Sequence, residues 1–312
     1  MNSTHVSSDE LYFIQFLSSI LLFIIIFTTL IGNGLVITAV ITTPKLQIRP
    51  NYLILSLSIT DLCVGVFVMP LYAYFGVVHI SDWKYGSVMC DIYYTITVSL
   101  MDTSVLHLTF IAIDRYLSIA RIQYSRNTSK RHVMAMIAFS WITPLSATTW
   151  PQYRRDSQLF LDNINQSICF PFTNNKINRL NVHVSCLIVL CIIVSMYYGV
   201  YKKSIEFKTK RKRYERHEFQ RHKPEDKNDK IMRREFKVAK TAAVVTIVFA
   251  ICVTPFNIIY FVSDAKTISY RHLAHWQTSL WIMYINSTLN PIIYGALNPN
   301  FCVVFKRLLK IT

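Results

Sequence analysis

Seven long apolar runs constrain the fold of this 312-residue chain more than any other feature. About 20 consecutive apolar residues cross the core of a bilayer as a helix, because lipid offers no partner to unpaired backbone N–H and C=O groups. We therefore expect an all-α membrane protein, a bundle of seven transmembrane helices that forms a single domain over residues 1–312. The predicted spans cover about residues 12–41, 52–75, 91–113, 133–150, 180–201, 238–262 and 274–296.

The charge distribution predicts the orientation of this bundle. Residues 1–11 carry no Lys or Arg, and only seven of the 33 Lys and Arg residues fall on the same side of the membrane as this segment. The positive-inside rule places that side outside the cell. We expect an extracellular N-terminus (1–11), a basic third cytoplasmic loop (202–237), and a cytoplasmic tail (297–312) with a short amphipathic eighth helix. The net charge of +16 follows mainly from this topology, so membrane lipids are expected partners and nucleic acid is not.

The outer segments carry two further signals. Sequons at Asn2 and Asn165 fall on the outer side and are candidates for N-glycosylation. Among the seven cysteines, only Cys90 and Cys169 share the oxidising outer compartment, which predicts a disulfide between them. Such a bond would fix the loop before the fifth span over the mouth of the bundle.

The last span concentrates polar residues where a membrane helix should avoid them. Within 281–294, amides, hydroxyls and a proline occupy the inner half. An unsatisfied polar group in hydrocarbon costs several kcal/mol, so partners inside the bundle must satisfy these side chains. Polar residues at such a depth indicate a functional site. These residues are Asn286, Ser287, Thr288, Asn290 and Pro291.

Short motifs at defined points of the spans narrow the class. The third span ends in Asp114-Arg115-Tyr116, and the seventh contains Asn290-Pro291-Ile292-Ile293-Tyr294. Together with other residues in order, they resemble the rhodopsin-like family of G-protein-coupled receptors over essentially the whole chain. The resemblance implies a multi-pass plasma-membrane receptor that binds an extracellular small molecule and activates a heterotrimeric G protein. It implies no enzymatic activity and no cofactor. The other matching residues are Gly32, Asn33, Asp61, Trp83, Trp141 and Pro255.

A signalling switch is expected at the cytoplasmic face. The planar guanidinium of Arg115 can bridge the carboxylates of Asp114 and Glu235, which would clamp the third and sixth spans together. In the family, opening of this clamp admits the tail of a G-protein α subunit. The alternative is a passive surface ion pair worth under about 1 kcal/mol. The switch set, whose tyrosines rest on the resemblance, is Asp114, Arg115, Tyr116, Tyr197, Glu235 and Tyr294.

An intramembrane carboxylate, Asp61, is the expected centre of a second site. The resemblance implies that hydroxyls and amides of the third and seventh spans converge on it and that the site binds an allosteric Na⁺. The alternative is a protonated Asp61 within a polar network. No other metal is expected. The implied sodium ligands are Asp61, Ser104, Asn286, Ser287 and Asn290.

The ligand pocket implied by the resemblance lies in the outer half of the bundle. Trp281 and Tyr284, three residues apart on one helix face, resemble the biogenic-amine branch of the family. Amine receptors carry a counter-ion Asp seven positions after the third-span Cys, where this chain has Thr97. The lost charge-assisted hydrogen bond, worth about 1.5–3 kcal/mol, would weaken amine binding roughly tenfold or more. The expected pocket residues are Thr97, Val98, Met101, Asp102, Asn181, Ser185, Phe256, Asn257, Trp281 and Tyr284.

Asp102 is the candidate replacement for the missing acid. It lies five residues after Thr97, about 7.5 Å deeper and turned by roughly 140°, so the ligand would have to move to meet it. We expect it to face the fifth span near Ser185. The alternative is a protonated carboxyl that is hydrogen-bonded to Ser185 or to a neighbouring helix.

The sequence leaves other ligand classes and other function classes as alternatives. Thr97 favours a receptor for a non-amine small molecule or a peptide, or an orphan or constitutively active receptor. A retinal photoreceptor is disfavoured, because its Schiff base needs a Lys that the seventh span lacks. A transporter or channel would show inverted repeats or a polar stripe along several helices, and neither is visible.

Overall fold

Helices make up the regular secondary structure in the part of the chain that the structure describes. A computed structural model describes residues 8–74, 85–121, 130–148, 176–217, 227–262 and 270–310. Prolines stand in the first turns of α2, α3 and α9, where the missing N–H costs no helical bond. The α-helices within these ranges are α1 (Ser8–Thr42), α2 (Arg49–Cys63), α3 (Met69–Ala73), α4 (Gly86–Ala120), α5 (Lys130–Thr148), α6 (Lys176–His217), α7 (Lys227–Val262), α8 (Tyr270–Leu297) and α9 (Pro299–Leu308).

The second predicted span is built from two helices. A π-helical segment, Val64–Val68, joins α2 to α3, so the backbone continues without a break from Arg49 to Ala73. Pro70 in the first turn of α3 has no N–H to donate, and the ladder widens into a π turn just before it. The span is therefore locally distorted on the outer side of Asp61.

Five stretches among the described residues are long and apolar enough to cross a membrane. They are Phe16–Thr42, Arg49–Ala73, Val88–Ala120, Val184–Lys210 and Asp229–Val262. The other two predicted spans lie in α5 and α8. Both helices are more polar: α5 opens on Lys130, Arg131 and His132, and α8 carries the amides and hydroxyls of 286–290.

The third-span helix, α4, occupies the centre of the bundle, where it packs against α2, α5, α6 and α7. Helix α8 packs against α7 and α1. Buried side chains form an outer apolar cluster around Leu100 and Tyr284, and an inner one around Leu108 and Tyr294. Asp61 is fully buried. In the chain it lies between Leu57, which belongs to the inner cluster, and Val64, which belongs to the outer cluster. The core thus consists of two apolar layers with a polar layer between them.

Two glycines allow helices to approach closely at polar or aromatic motifs. A Cβ on Gly32 would lie 2.9 Å from Cγ of Pro291, so α1 touches α8 at its internal proline. A Cβ on Gly199 would lie 2.5 Å from Cε2 of Tyr116, so the Tyr116 ring lies directly on the backbone of α6. Any larger residue would force these neighbours to shift.

The end of α6 and the start of α7 differ from the predicted loop at 202–237. Residues 202–217 continue α6 and residues 227–237 belong to α7, while 218–226 lie outside the described residues. Glu206 pairs with Lys203 at 3.0 Å and with Lys210 at 2.8 Å, at the i,i+3 and i,i+4 spacings that support a helix in water. A charged segment predicted as a loop is therefore mostly a helical extension of the two spans.

Some predicted features lie outside the described residues. Cys90 is disulfide-bonded, but Cys169 falls in the undescribed range 149–175, so their pairing stays a prediction. The glycosylation candidates Asn2 and Asn165 also fall outside the described ranges.

Candidate functional site: an ion-pair clamp and two polar centres within the bundle

A buried ion pair joins α4 to α7 at one end of the bundle. The Arg115 Nη1 donates to Glu235 Oε2 at 2.8 Å, and Nη2 donates to the adjacent Asp114 carboxylate. The Arg115 side chain is only 2% exposed. In water-poor surroundings such a contact is stronger than an exposed pair, since solvent screens it less. The predicted residues Asp114, Arg115 and Glu235 therefore meet in one cluster that holds α4 against α7.

A second arginine, which sequence reasoning missed, extends this cluster to α2. Arg49 Nε lies 3.4 Å from Asp114 Oδ1, and its Nη2 donates to Ser118 Oγ at 2.8 Å. Arg49 opens α2 at the same end of the bundle as Arg115. Its predicted position at that end was the only sequence signal for this contact. Asp114 therefore pairs with an arginine of α2 as well as with Arg115.

The three predicted switch tyrosines lie around the clamp formed by Asp114, Arg115 and Glu235. Within the described chain, none of them forms a hydrogen bond to a clamp residue. The Tyr197 hydroxyl lies 3.1 Å from Thr246 Oγ1, which links α6 to α7. Tyr294 is buried in the inner apolar cluster, and within the described chain its hydroxyl has no hydrogen-bond partner. Tyr116 packs on Gly199.

Side chains of α2, α4, α7 and α8, including Leu53, Arg115, Ala242 and Tyr294, line a narrow cleft. The ion-pair cluster and this cleft therefore lie side by side.

Asp61 is held by two side chains of α8. Ser287 Oγ donates to Asp61 Oδ1 at 2.7 Å, and Asn290 Nδ2 donates to Oδ2 at 2.8 Å. Two predicted ligands are arranged differently. The Ser104 hydroxyl donates to the Leu100 carbonyl of its own helix at 3.1 Å, and no hydrogen bond joins Asn286 to Asp61 within the described chain.

Oxygen atoms remain available around Asp61. The buried Oδ1 atoms of Asn286 and Asn290 and the Oγ of Ser58 have no hydrogen-bond partner among the described residues. Buried acceptors without donors are costly, and a small hard cation prefers such oxygen ligands. The donor set therefore fits a Na⁺ ion, with one carboxylate to balance its charge.

At the position of the missing counter-ion, tyrosines fill the space. Thr97 Oγ1 donates to the Tyr93 carbonyl at 2.8 Å. The Tyr93 side chain approaches those of Tyr284 and Thr97. Tyr72 lies near Trp281, and its ring meets that of Tyr284 edge-on with centroids 5.3 Å apart. A network of hydroxyls and aromatic rings thus occupies the region between Thr97 and Tyr284.

Sequence reasoning missed Tyr72 and Tyr93. Tyr93 lies one helical turn before Thr97, and that spacing was the only available signal. An aromatic residue one turn away is equally typical of ordinary helix packing. The pairing of Tyr284 with Tyr93 was not foreseen, because only the Thr97 hydroxyl was considered as its partner.

The other predicted pocket residues lie around this network. Met101, Phe256 and Trp281 are partly buried against the outer apolar cluster. Val98 is half-buried and Ser185 is exposed, and the structure does not describe the side chain of Asn181. Asn257 Nδ2 donates to the Val253 carbonyl at 3.2 Å, and its Oδ1 accepts from Cys186 Sγ at 3.8 Å. Asp102 is exposed, and no hydrogen bond joins it to Ser185 or to a neighbouring helix in the described chain.

Comparison with known proteins identifies the family of this helical bundle. The sequence profile of the 7 transmembrane receptor (rhodopsin family) matches residues 32–294. The chain belongs to this family; it is a receptor of the membrane and not an enzyme.

Its relatives include receptors named for amines. It is 30% identical to octopamine receptor beta-1R of Drosophila melanogaster, over 92% of this chain and 60% of that receptor. It is 28% identical to octopamine receptor beta-2R of Chilo suppressalis, over 94% of this chain and 79% of that receptor. It is 27% identical to human 5-hydroxytryptamine receptor 1B, over 93% of this chain and 85% of that receptor. The chain therefore spans about three fifths of the length of the first of these relatives.

Proposed function

We propose that the protein is a plasma-membrane receptor with its N-terminus outside, which binds an extracellular amine-like small molecule and activates a heterotrimeric G protein. The buried Arg115–Glu235 ion pair is the observation that carries this proposal. A charge pair of this kind gives the bundle two states, joined or separated, at the face where a cytoplasmic partner would bind. A ligand that favours the separated state would shift the population toward it.

The proposed opening involves α7. Pro255 lies inside this helix and removes one backbone hydrogen bond, so the inner half of α7 can swing about it. Separation of Glu235 from Arg115 would widen the narrow cleft beside Tyr294. The exposed arginine would then offer a donor fork to the carbonyls or carboxylates of a G-protein tail.

The cytoplasmic tail of this receptor would lie along the membrane. In α9 the side chains of Phe301 and Val304 are buried, while Lys306 and Arg307 are exposed in the last turn. Asn298 caps the helix by accepting from the Asn300 N–H at 3.1 Å. A helix with one apolar and one basic face suits the surface of an anionic inner leaflet.

The ligand class rests on the octopamine and 5-hydroxytryptamine receptors among the relatives and on the aromatic residues Trp281 and Tyr284. The second candidate is a receptor for a non-amine small molecule or peptide. The uncharged Thr97, with its hydroxyl engaged to the Tyr93 carbonyl, favours that candidate. The two candidates differ in whether the ligand must carry a cation.

A panel of amines on the wild-type receptor tests the ligand class. We expect at least one of octopamine, tyramine, serotonin, dopamine and histamine to dissociate a co-expressed G protein, measured by energy transfer between its α and βγ subunits. The deaminated alcohol of the active amine serves as the matched control and should be inactive. A response only in the Thr97→Asp variant would contradict an amine ligand for the native receptor and would favour the second candidate.

We also propose that Na⁺ binds at Asp61 and stabilises the closed form. The support is the buried carboxylate together with the unpartnered oxygens of Asn286 and Asn290. Asp61 and Ser287 would hold the ion, and Asn286 and Asn290 would supply further oxygens. Ser104 would contribute only after its hydroxyl turns away from Leu100.

Sodium is expected to raise the melting temperature of the purified receptor relative to N-methyl-D-glucamine at equal chloride concentration. A cation that binds only the folded state stabilises it by mass action. The difference should vanish in Asp61→Asn and shrink in Ser287→Ala, a variant that keeps the carboxylate. Equal melting temperatures of the wild type in the two salts would rule the sodium site out.

A further inference from the structure

Asp102 is a carboxylate near the middle of α4. It forms no hydrogen bond or ion pair within the described chain, and its side chain is exposed. The other membrane-embedded aspartates of the described bundle differ in this respect. Asp61 accepts hydrogen bonds from Ser287 and Asn290, and Asp114 pairs with Arg49 and Arg115. A carboxylate at this depth is costly without a counter-charge, which indicates a role for it.

The surroundings of Asp102 are rich in acceptors. The Cys186 thiol of α6 is close enough for an electrostatic interaction with the Asp102 carboxyl. That thiol donates to Asn257 Oδ1 on α7 at 3.8 Å, and the Asn257 side-chain N–H donates to the Val253 carbonyl. Oxygen acceptors therefore converge from α4 and α7, while the described neighbours offer no cation. A ligand group that carries several N–H donors and a positive charge would complement them.

The position beside Thr97 cannot serve the same purpose. The Thr97 hydroxyl donates to the Tyr93 carbonyl, and the Tyr93 and Tyr284 side chains meet across the space. A cation placed there would meet neutral hydroxyls and aromatic rings, and it would find no carboxylate from the described residues. Asp102 lies about 7.5 Å deeper along α4 and roughly 140° around it.

We propose that the Asp102 carboxylate is the counter-ion for a ligand ammonium group that lies between α4, α6 and α7, with Asn257 as a second acceptor. This inference rests on the proposed function, an amine-like ligand, and it assigns the place and orientation of its cation. The cation points toward α6, and the rest of the ligand extends toward Phe256 and Trp281. The tyrosine network at Thr97 then closes the opposite side of the pocket.

The first test uses the amine that activates the wild type and the full-length receptor in cells. Asp102→Asn keeps the size of the side chain and removes its charge. We expect at least a tenfold loss of potency, the loss that removal of one charge-assisted hydrogen bond produces, with unchanged surface expression. Asp102→Glu should retain part of the response. Asp91→Asn, which removes a charge nearer the mouth from the same helix, is the matched control and should keep the potency within about threefold.

The second test does not depend on the ligand. Cys186 is free and exposed, so it reacts with methanethiosulfonate reagents. We expect the aminoethyl reagent, a cation, to label it faster relative to the neutral methyl reagent in the wild type than in Asp102→Asn. The ratio of the two rates should fall at least threefold when the charge is removed. Cys186→Ser identifies the labelling that belongs to this residue.

The outcomes separate this inference from the proposed function. An amine response that Asp102→Asn leaves unchanged overturns the counter-ion assignment while the amine receptor stands. If no amine activates the wild type, the proposed ligand class fails, and the labelling ratio still decides whether Asp102 attracts a cation. An unchanged labelling ratio overturns the subsite.

Discussion

Glu235→Gln is expected to raise signalling in the absence of ligand. The substitution keeps the size of the side chain but exchanges a charged acceptor at 2.8 Å from Arg115 for a neutral one. Hydrogen bonds to charged groups exceed neutral ones by about 1 kcal/mol, so the ratio of open to closed receptor should rise roughly fivefold. Ligand-free dissociation of a co-expressed G protein, normalised to surface receptor, measures this change.

Glu206→Gln is the matched control for that experiment. Glu206 also forms two ion pairs, with Lys203 and Lys210, but all three side chains are exposed and lie on α6 alone. Exposed pairs within one helix contribute little and do not join α4 to α7. Its ligand-free signal should match the wild type. Equal basal activity in Glu235→Gln and Glu206→Gln would contradict the role of the clamp.

Arg115→Ala is expected to abolish G-protein activation while receptor still reaches the cell surface. The guanidinium is the group that an opened cleft would present to the partner, and alanine offers no donor in its place. Asp114 keeps its contact with Arg49 at 3.4 Å, so the ion pair lost between α4 and α7 is the one to Glu235. Activation is measured with a saturating concentration of the active amine and is normalised to surface expression.

Removal of one partner of a buried ion pair costs about 3–5 kcal/mol, so surface expression of Arg115→Ala is expected to fall. Arg115→Gln keeps donors in the same place and separates the loss of charge from the loss of folded protein. Arg234→Ala changes an exposed residue beside Glu235 and should signal normally. Undiminished activation by Arg115→Ala would remove Arg115 from the mechanism.

The membrane bundle follows from sequence because its signals are physical and local. Apolar length predicted helices where α1, α4, α7 and α8 occur. The Arg115–Glu235 ion pair was predictable because both residues lie at the same end of the bundle, where an arginine can reach a carboxylate on another helix. The contact of Asp61 with Ser287 and Asn290 rested on the family pattern, since no single-sequence signal pairs residues so far apart in the chain.

Other features could not be predicted, because the same residue type is compatible with two different local structures. A serine in a helix, such as Ser104, can bond to a ligand or to the carbonyl one turn back. A charged segment such as 202–217 is typical of a loop, yet its spacing of Glu206 from Lys203 and Lys210 supports a helix. Tyr93 fills the place of a ligand cation only because α4 and α8 bring it to Tyr284, and that distance is not encoded locally.

Because α7 is one continuous helix from Lys227 to Val262, a small rotation at Pro255 moves its distant end by a large distance. Glu235 lies 20 residues from Pro255, which corresponds to about 30 Å of helix. A rotation of about 5° at the proline would carry Glu235 through roughly 2.6 Å, enough to nearly double its present distance of 2.8 Å from Arg115. A displacement near the pocket too small to alter the packing of Phe256 would therefore suffice to release the clamp.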